Sequence, residues 1–357
     1  MNESGVVIGL SGGVDSATAA WYLKSRGYDV YAVTINFFDY SGGYDHSKSC
    51  CDRDAIANAA RVAKNLGIAH RIVDASEKFK REVIERFVRE YEKGRTPNPC
   101  IECNAKVKFP TLIEVADELN YKHIATGHYA RVIKKRSGRR FLARALSVEK
   151  DQSYFLYKVP VNIIERTIFP LGFFTKERVE SFYKKHELGA AHRRESQDVC
   201  FLPDGDIERF LAEFIRNEGG NIVDMNGNVL GRHRGIHLYT VGQRKGLGIS
   251  SSKPLYVKSI DASKRQIVVA TKERLFSNEA RCANLNLRSR KLETPLYAKI
   301  RYRHPPAAVE SFEIKEGTMR IIFKEPQRAV TPGQSLVLYQ DGFVVGGGII
   351  VEGACNE

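Results

Sequence analysis

The order strand, glycine turn, helix at the start of the chain constrains the fold more than any other feature. Val6-Val7-Ile8 is a short β-branched run, and Gly9-Leu10-Ser11-Gly12-Gly13 interrupts it. A stretch from about Ser16 to Arg26 then reads as a helix, with Gly27 as its stop. The alternation repeats. Strands are expected at Val30 to Ile35, Ala69 to Val73 and His123 to Thr126, and helices at Asp52 to Leu66, Lys78 to Lys93 and Lys108 to Leu119. Crossovers of this length join parallel strands, so the expected class is α/β, a Rossmann-like parallel sheet covered on both faces. Ligands in such folds bind beyond the carboxyl ends of the strands.

The pattern changes near Pro203. A helix is expected from about Asp206 to Asn217, followed by Gly-rich short strands. From about Arg281 the chain alternates as β throughout, in Leu296 to Tyr302, Met319 to Phe323 and Ser335 to Tyr339, with turns at Pro332-Gly333 and Asp341-Gly342. The 357 residues are therefore divided into a catalytic α/β domain (1–205), a small central α+β domain (206–275) and a C-terminal β-barrel, or sandwich (276–357).

Charge narrows the partners. There are 56 Lys+Arg against 42 Asp+Glu, a net charge of +14, which favours a polyanion because cationic side chains release the counterions condensed on phosphates. One basic run, Lys134-Lys135-Arg136-Ser137-Gly138-Arg139-Arg140, has the look of a hairpin tip, with a solvated turn as the plain alternative. No apolar run is long enough to span a membrane and the start does not read as a signal peptide, so a cytoplasmic protein is expected. Seven cysteines in such a chain argue for catalytic, metal-binding or core thiols and against a disulfide scaffold.

The segment Gly9-Leu10-Ser11-Gly12-Gly13-Val14-Asp15-Ser16 lies where a phosphate cradle belongs. Gly12 and Gly13 permit positive φ and bring backbone N–H groups to a phosphate, Ser11 and Ser16 add hydroxyls, and the helix start adds partial positive charge. No Gly-Lys-Ser/Thr follows, so it is not a Walker loop. It resembles the PP-loop of ATP pyrophosphatases, which cleave ATP between the α- and β-phosphates and activate a carbonyl oxygen as an adenylate. Asp15 is suited to hold Mg²⁺ on the released pyrophosphate.

Two cysteine segments select the nucleophile. Arg95-Thr96-Pro97-Asn98-Pro99-Cys100-Ile101-Glu102-Cys103-Asn104 reads as a rigid loop before a helix, and Ser196-Gln197-Asp198-Val199-Cys200-Phe201 closes the α/β region. A thiol near a helix start has a lowered pKa and reacts as thiolate. Two such sulfurs suit sulfur transfer, one carrying a persulfide and the other releasing its terminal sulfur by forming a disulfide.

Here the resemblance extends nearly end to end. Together with Ala125-Thr126-Gly127-His128-Tyr129, Lys150-Asp151-Gln152-Ser153-Tyr154-Phe155-Leu156, Tyr239 to Gly248 and Thr331-Pro332-Gly333-Gln334, these segments resemble the tRNA 2-thiouridylase (MnmA) family. The resemblance implies Cys103 as nucleophile and Cys200 as persulfide carrier. It places Gly9 to Ser16, Ile35 and Gly127 around ATP. It assigns Asn98, Pro99 and Cys100 to the target base, and His128, Lys150, Asp151, Gln152, Arg301, Tyr302 and Gln334 to tRNA. It further implies thiolation of the wobble uridine of Lys, Glu and Gln tRNAs and sulfur supplied by a cysteine desulfurase or a relay protein; separately, a monomer is expected.

One position departs from the pattern. Cys100 stands where the best-known members have Asp, and this creates Cys100-x-x-Cys103 with Cys200 as a third thiolate. Three cysteines can hold a 4Fe–4S cluster whose open iron binds hydrosulfide. The persulfide route is the preferred expectation and the cluster the alternative. Cys50 and Cys51 read as loop thiols near the ATP site, Cys282 and Cys355 as structural or incidental. His192, His233 and His304 lie among Arg residues, where a phosphate-facing patch and a solvated surface are equally open. Tyr40 to Lys48 and Val199 to Asp206 are the candidates for motion on tRNA binding. A PP-loop synthetase for a small molecule leaves the cysteines and the basic charge unexplained. An RNA-binding protein with a vestigial ATP site is opposed by the intact Ser11, Asp15 and Ser16.

Overall fold

The computed structural model describes residues 1–38, 53–136, 138–189, 199–202, 205–289 and 292–353. Cys50, Cys51, Cys355, His192 and the loop Tyr40 to Lys48 lie outside the described residues. The chain divides into two compact units, one of residues 1–83, 100–205 and 342–344, the other of 84–99, 206–341 and 345–357.

In the first unit, β1 (Asn2–Gly9), β2 (Asp29–Asn36), β3 (Ala69–Asp74) and β4 (Tyr121–Ala125) pair in parallel, and the two-residue β7 (Thr167–Ile168) joins β4 at the edge. The order β3-β2-β1-β4-β7 is that of a Rossmann-like sheet. Val6, Val7 and Ile8 are all fully buried, as expected for a central strand covered on both faces. Helices α1 (Val14–Ser25) and α2 (Arg53–Leu66) supply Ala17, Ala20, Leu23, Ala59, Val62 and Leu66 to the same core. A hairpin of β5 (Ala130–Lys134) and β6 (Arg140–Arg144) follows β4.

Two helical segments differ from expectation. The helix expected from Lys78 starts at Ser76 as α3 (Ser76–Phe79), passes through a π turn at Lys80–Ile84 and continues as α4 (Glu85–Glu92). The helix expected from Lys108 already begins at Pro99, with α5 (Pro99–Glu102), a π turn at Cys103–Lys108 and α6 (Phe109–Glu118). Proline suits the first helical position because its missing N–H would be unbonded there. Pro110 cannot donate within a helix and crowds the preceding turn, and a wider turn just before it accommodates both defects. Cys100 and Cys103 therefore sit inside a helical segment and not in a loop ahead of one.

The second unit holds two bodies of strands. After the short α7 (Val161–Arg166) and α8 (Lys176–Lys185) of the first unit, α9 (Ile207–Leu211) is shorter than the expected Asp206 to Asn217. Strands β8 (Gly220–Val223), β9 (Val229–His233), β10 (Tyr256–Asp261) and β11 (Gln266–Ala270) form a sheet of order β10-β11-β8-β9 around Ile222, Val257, Ile267 and Val269. The last six, β12 (Phe276–Leu287), β13 (Tyr297–Lys299), β14 (Ala307–Lys315), β15 (Thr318–Arg328), β16 (Ser335–Gln340) and β17 (Phe343–Glu352), run in the order β12-β15-β14-β13-β16-β17. Pairing of β12 with β17 closes them into a barrel and resolves the barrel-or-sandwich alternative. Its interior holds Ala298, Met319, Ile321, Phe323, Leu336, Leu338 and Cys282, whose thiol burial pushes up to about 12.

Candidate active site

The strand order fixes where a ligand can bind. β1 lies between β2 and β4, and the chain reaches these two neighbours by separate excursions, so the turns after β1 and β4 diverge at their carboxyl ends. Those turns are Gly9 to Gly13 and Thr126 to His128.

The first turn is preformed. Ser16 Oγ donates to the Gly13 carbonyl (3.1 Å) and accepts the Ser11 N–H (3.1 Å), while the two serine hydroxyls lie 3.1 Å apart. Gly12 has φ +73°, and a β-carbon there would stand 2.5 Å from the Ala55 carbonyl oxygen on α2. Glycine is thus required at position 12 twice over. Gly13 differs from expectation: its φ is −91°, and its use is to cap α1 without a side chain, so that the helix start faces outward uncovered. Leu10 is tied to β2 through its N–H and carbonyl, bonded to the Val33 carbonyl (2.8 Å) and to Thr34 Oγ1 (2.8 Å), next to buried Ile35.

The second turn touches the first. A β-carbon on Gly127 would lie 3.0 Å from the Ser16 nitrogen and 3.1 Å from the Asp15 carbonyl carbon, so this position and the loop are mutually shaped. The Tyr129 hydroxyl (2.9 Å) and the Lys176 ammonium (2.7 Å) both donate to Asp15 Oδ1, and among the described residues none donates to Oδ2. Lys176 opens α8, whose cap is Thr175. His128 packs between Phe109 and Phe169, with Nδ1 2.8 Å from Thr126 Oγ1. Burial, and after it the positive charge of Lys108, holds its pKa well below the ordinary histidine value, so the ring is neutral at neutral pH.

Residues Lys150 to Gln152 are pinned to the same turn. Gln152 exchanges bonds with Tyr129, its Oε1 accepting the Tyr129 N–H (2.9 Å) and its own N–H donating to the Tyr129 carbonyl (2.8 Å). Asp151 is an internal anchor, 2% exposed, accepting from the Ala145 and Ser153 N–H groups and from Arg144 Nε.

The cysteine segments converge on α3. Cys103 is buried, while Cys100 and Cys200 are partly exposed. The π turn that begins with Cys103 packs against α3, and Phe201, next to Cys200, stacks edge-on against Phe79 of α3 (5.9 Å). Phe79 also meets Phe37 and Phe38, which follow β2 (5.0 and 5.6 Å). Two ties hold the Cys103 turn. Asn104 Nδ2 donates to the Phe155 carbonyl (3.2 Å), and Lys158 pairs with the buried Glu102 (2.5 Å). Among the described residues, which include all three cysteines, no group of three or more His, Cys, Asp or Glu is arranged to hold a metal ion.

In the barrel, Arg301 Nη2 donates to the carbonyls of Arg328 (2.6 Å) and Ala329 (3.3 Å), and Lys299 lies over the Tyr302 ring (5.5 Å). Gln334 Nε2 donates to the Thr96 carbonyl (2.7 Å), and the Thr96 N–H donates to the Pro332 carbonyl. The turn carrying Gln334 therefore braces the segment that leads to Asn98 and Pro99.

Sequence reasoning gave no role to Tyr129, Lys176, Phe79 or Asn104. Tyr129 stood within a recognised motif, and Asn104 follows Cys103 directly. Nothing local marks Lys176, which is 161 residues from Asp15.

The chain matches the tRNA methyl transferase HUP domain over residues 4–204, the tRNA methyl transferase PRC-barrel domain over 208–271 and the aminomethyltransferase beta-barrel domain over 277–350. It is 42% identical to the tRNA-specific 2-thiouridylase MnmA of Clostridium perfringens, over 98% of this chain and 99% of that one. It is 44% identical to the tRNA-specific 2-thiouridylase MnmA 1 of Caldanaerobacter subterraneus subsp. tengcongensis, over 97% of each chain. Among solved structures, NMN synthetase from Francisella tularensis matches at 19% identity over 52% of this chain and 63% of that one, with a TM-score of 0.32, too low to carry an argument. With this cradle at the sheet's switch point and relatives matched along nearly the whole chain, the protein belongs to the tRNA-specific 2-thiouridylase family of PP-loop, ATP-utilising enzymes.

Proposed function

We propose that the protein is an ATP-dependent tRNA uridine 2-sulfurtransferase acting on the wobble position of Lys, Glu and Gln tRNAs. The observation that carries this reading is the convergence of both cysteine segments on α3, beside the end of the strand that follows the phosphate cradle.

In this reading the cradle from Gly9 to Ser16 binds ATP, with Ile35 and Gly127 lining the site. Asp15 is suited to a Mg²⁺ carried on the phosphates, since Oδ2 accepts no protein hydrogen bond among the described residues; the ion would neutralise charge on the departing pyrophosphate. The uridine leaves its stack and enters the pocket, as a base must to react. Its O2 takes AMP from ATP and pyrophosphate leaves. The terminal sulfur of a Cys200 persulfide attacks C2, and AMP departs with the oxygen. The Cys103 thiolate then attacks the Cys200 sulfur, so that the new thiocarbonyl is freed and a Cys103–Cys200 disulfide remains. An external dithiol returns the two electrons, and a cysteine desulfurase or relay protein reloads Cys200. No step is routed through an iron–sulfur cluster.

The neutral His128, Lys150 and the Asn98-Pro99-Cys100 turn are assigned to the tRNA. Asp151 and Gln152 contribute by holding the turn that carries His128 and Lys150, and Arg301, Tyr302 and Gln334 are assigned to tRNA on the barrel.

Pyrophosphate release tests the reading. Release that requires tRNA is expected; release without tRNA would point to a small-molecule synthetase, and none under any condition to a binding protein. Cys103→Ser is expected to abolish thiolation and leave ATP binding intact.

A further inference from the structure

The thirty residues from Leu119 to Val148 contain no Asp or Glu, yet they include Lys122, Arg131, Lys134, Lys135, Arg136, Arg139, Arg140 and Arg144. The hairpin of β5 and β6 sorts these cations by use. Arg131 bonds the Arg144 carbonyl, Arg140 bonds the carbonyls of Glu165 and Thr167, and Arg144 pairs with Asp151. Those three are consumed by backbone carbonyls and a carboxylate along the hairpin, Arg144 at its base and Arg140 at the rung opposite Lys134. Lys122, ahead of the hairpin, pairs with Glu3, and the remaining four, Lys134, Lys135, Arg136 and Arg139, are exposed toward the tip and form no ion pair among the described residues.

Backbone bonds and ring contacts tie the described residues of the tip to one another. The Lys135 N–H donates to the Arg139 carbonyl and the Gly138 N–H to the Lys135 carbonyl (2.9 Å each). Lys135 Nζ lies 4.4 Å from the Phe343 ring centre and 5.1 Å from that of Phe141, and the Arg139 guanidinium lies 5.8 Å from Phe141. Phe343 pairs with Ala143 beside them, so two aromatic faces hold two cations in place. Concentrating four like charges on one turn costs repulsion, and a polyanion relieves it by exchanging its condensed counterions for them.

We propose that this tip is a further tRNA-binding site, gripping backbone phosphates away from the reacting base. The inference rests on the tRNA substrate of the proposed function. The hairpin starts immediately after Tyr129, whose hydroxyl bonds Asp15. Five residues of β5 at about 3.4 Å each carry the tip about 17 Å from that point. Binding at that range touches phosphates several nucleotides from the target and carries no sequence information, so it sets affinity and not base choice.

The test is tRNA binding and turnover by the full chain, with wild-type thiolation as the control for the reading on which the proposal rests. The variant Lys134→Ser/Arg136→Ser spares the two stacked cations and the fold. It is expected to raise the tRNA Kd and KM about tenfold at low salt with kcat held. The salt slope of log K should lessen by about 2, one for each phosphate that the variant no longer neutralises. Lys134→Arg/Arg136→Lys keeps the charge and restores both. If wild type thiolates tRNA and the Ser variant keeps the wild-type Kd and salt slope, the proposal is overturned. It is equally overturned if tRNA binding is unchanged and only turnover driven by a sulfur-donor protein falls, which would make the tip a protein-docking site.

Discussion

The phosphate cradle and the barrel residues assigned to tRNA make instructive opposites. In the cradle each side chain or missing side chain acts on its own neighbours: Ser16 ties Ser11 to Gly13, and Gly12 exists to reach φ +73° beside α2. No side chain caps the start of α1, and the proposed reading gives the N–H groups there to the phosphates of ATP. In the barrel the reverse holds. Arg301 and Gln334 spend their donors on the carbonyls of Arg328, Ala329 and Thr96. The cradle is thus a local object held by its own neighbours, whereas Arg301 and Gln334 serve first to shape the surface that carries them.

This contrast can be tested from the cradle outward. Gly12→Ala should have the largest effect, because the new β-carbon meets backbone on α2 at 2.5 Å in a conformation that L-residues resist. ATP-dependent turnover should fall by about 10³-fold or more, read as pyrophosphate release. An active Gly12→Ala enzyme would show that the cradle is not held as described. Asp15→Asn keeps the shape and removes the charge facing Lys176. Turnover should drop about 10²-fold while the melting temperature barely moves, the mark of electrostatic and not structural loss.

The barrel should behave in the opposite way. Arg301→Ala leaves two carbonyls without their donor and should cost about 1–3 kcal/mol in chemical denaturation, with only a few-fold rise in the KM for tRNA. A large KM effect without a stability effect would make Arg301 a direct tRNA ligand and break the comparison. The smallest effect is expected from pH. Burial lowers the pKa of both His233 and His237 from 6.5 in the folded central domain. The unfolded chain then binds more protons just below that value, so stability is full above about pH 6.5 and declines as pH falls beneath it. Denaturation midpoints measured between pH 7.5 and about 5.5 check the sign; a midpoint that rises on acidification would contradict it.

The fold was legible where neighbours in sequence are neighbours in space. β1, the Gly9 to Ser16 turn and α1 follow from glycines and periodicity within one short window, and the parallel sheet follows from repeating that unit. The segment from Pro99 was misjudged because Pro97 and Pro99 suggest a loop, although Pro99 opens a helix that runs through a π turn into α6. The site was only partly legible for the same reason. Lys176 reaches Asp15 across 161 residues, and Phe79 joins both cysteine segments through packing alone. The family resemblance assigned Asp151 to tRNA, and nothing local in the sequence shows that backbone N–H groups and Arg144 enclose it.

The most direct test of the central claim is a single turnover under anaerobic conditions with iron-free protein, its Cys200 loaded as persulfide, given ATP, Mg²⁺ and tRNA. Nucleoside analysis and peptide mapping of the same sample are then compared. The account predicts 2-thiouridine and a Cys103–Cys200 disulfide in equal amounts. Thiouridine that forms only when the protein carries iron and acid-labile sulfide, with no disulfide and with the metal lost in Cys100→Ala, would contradict it.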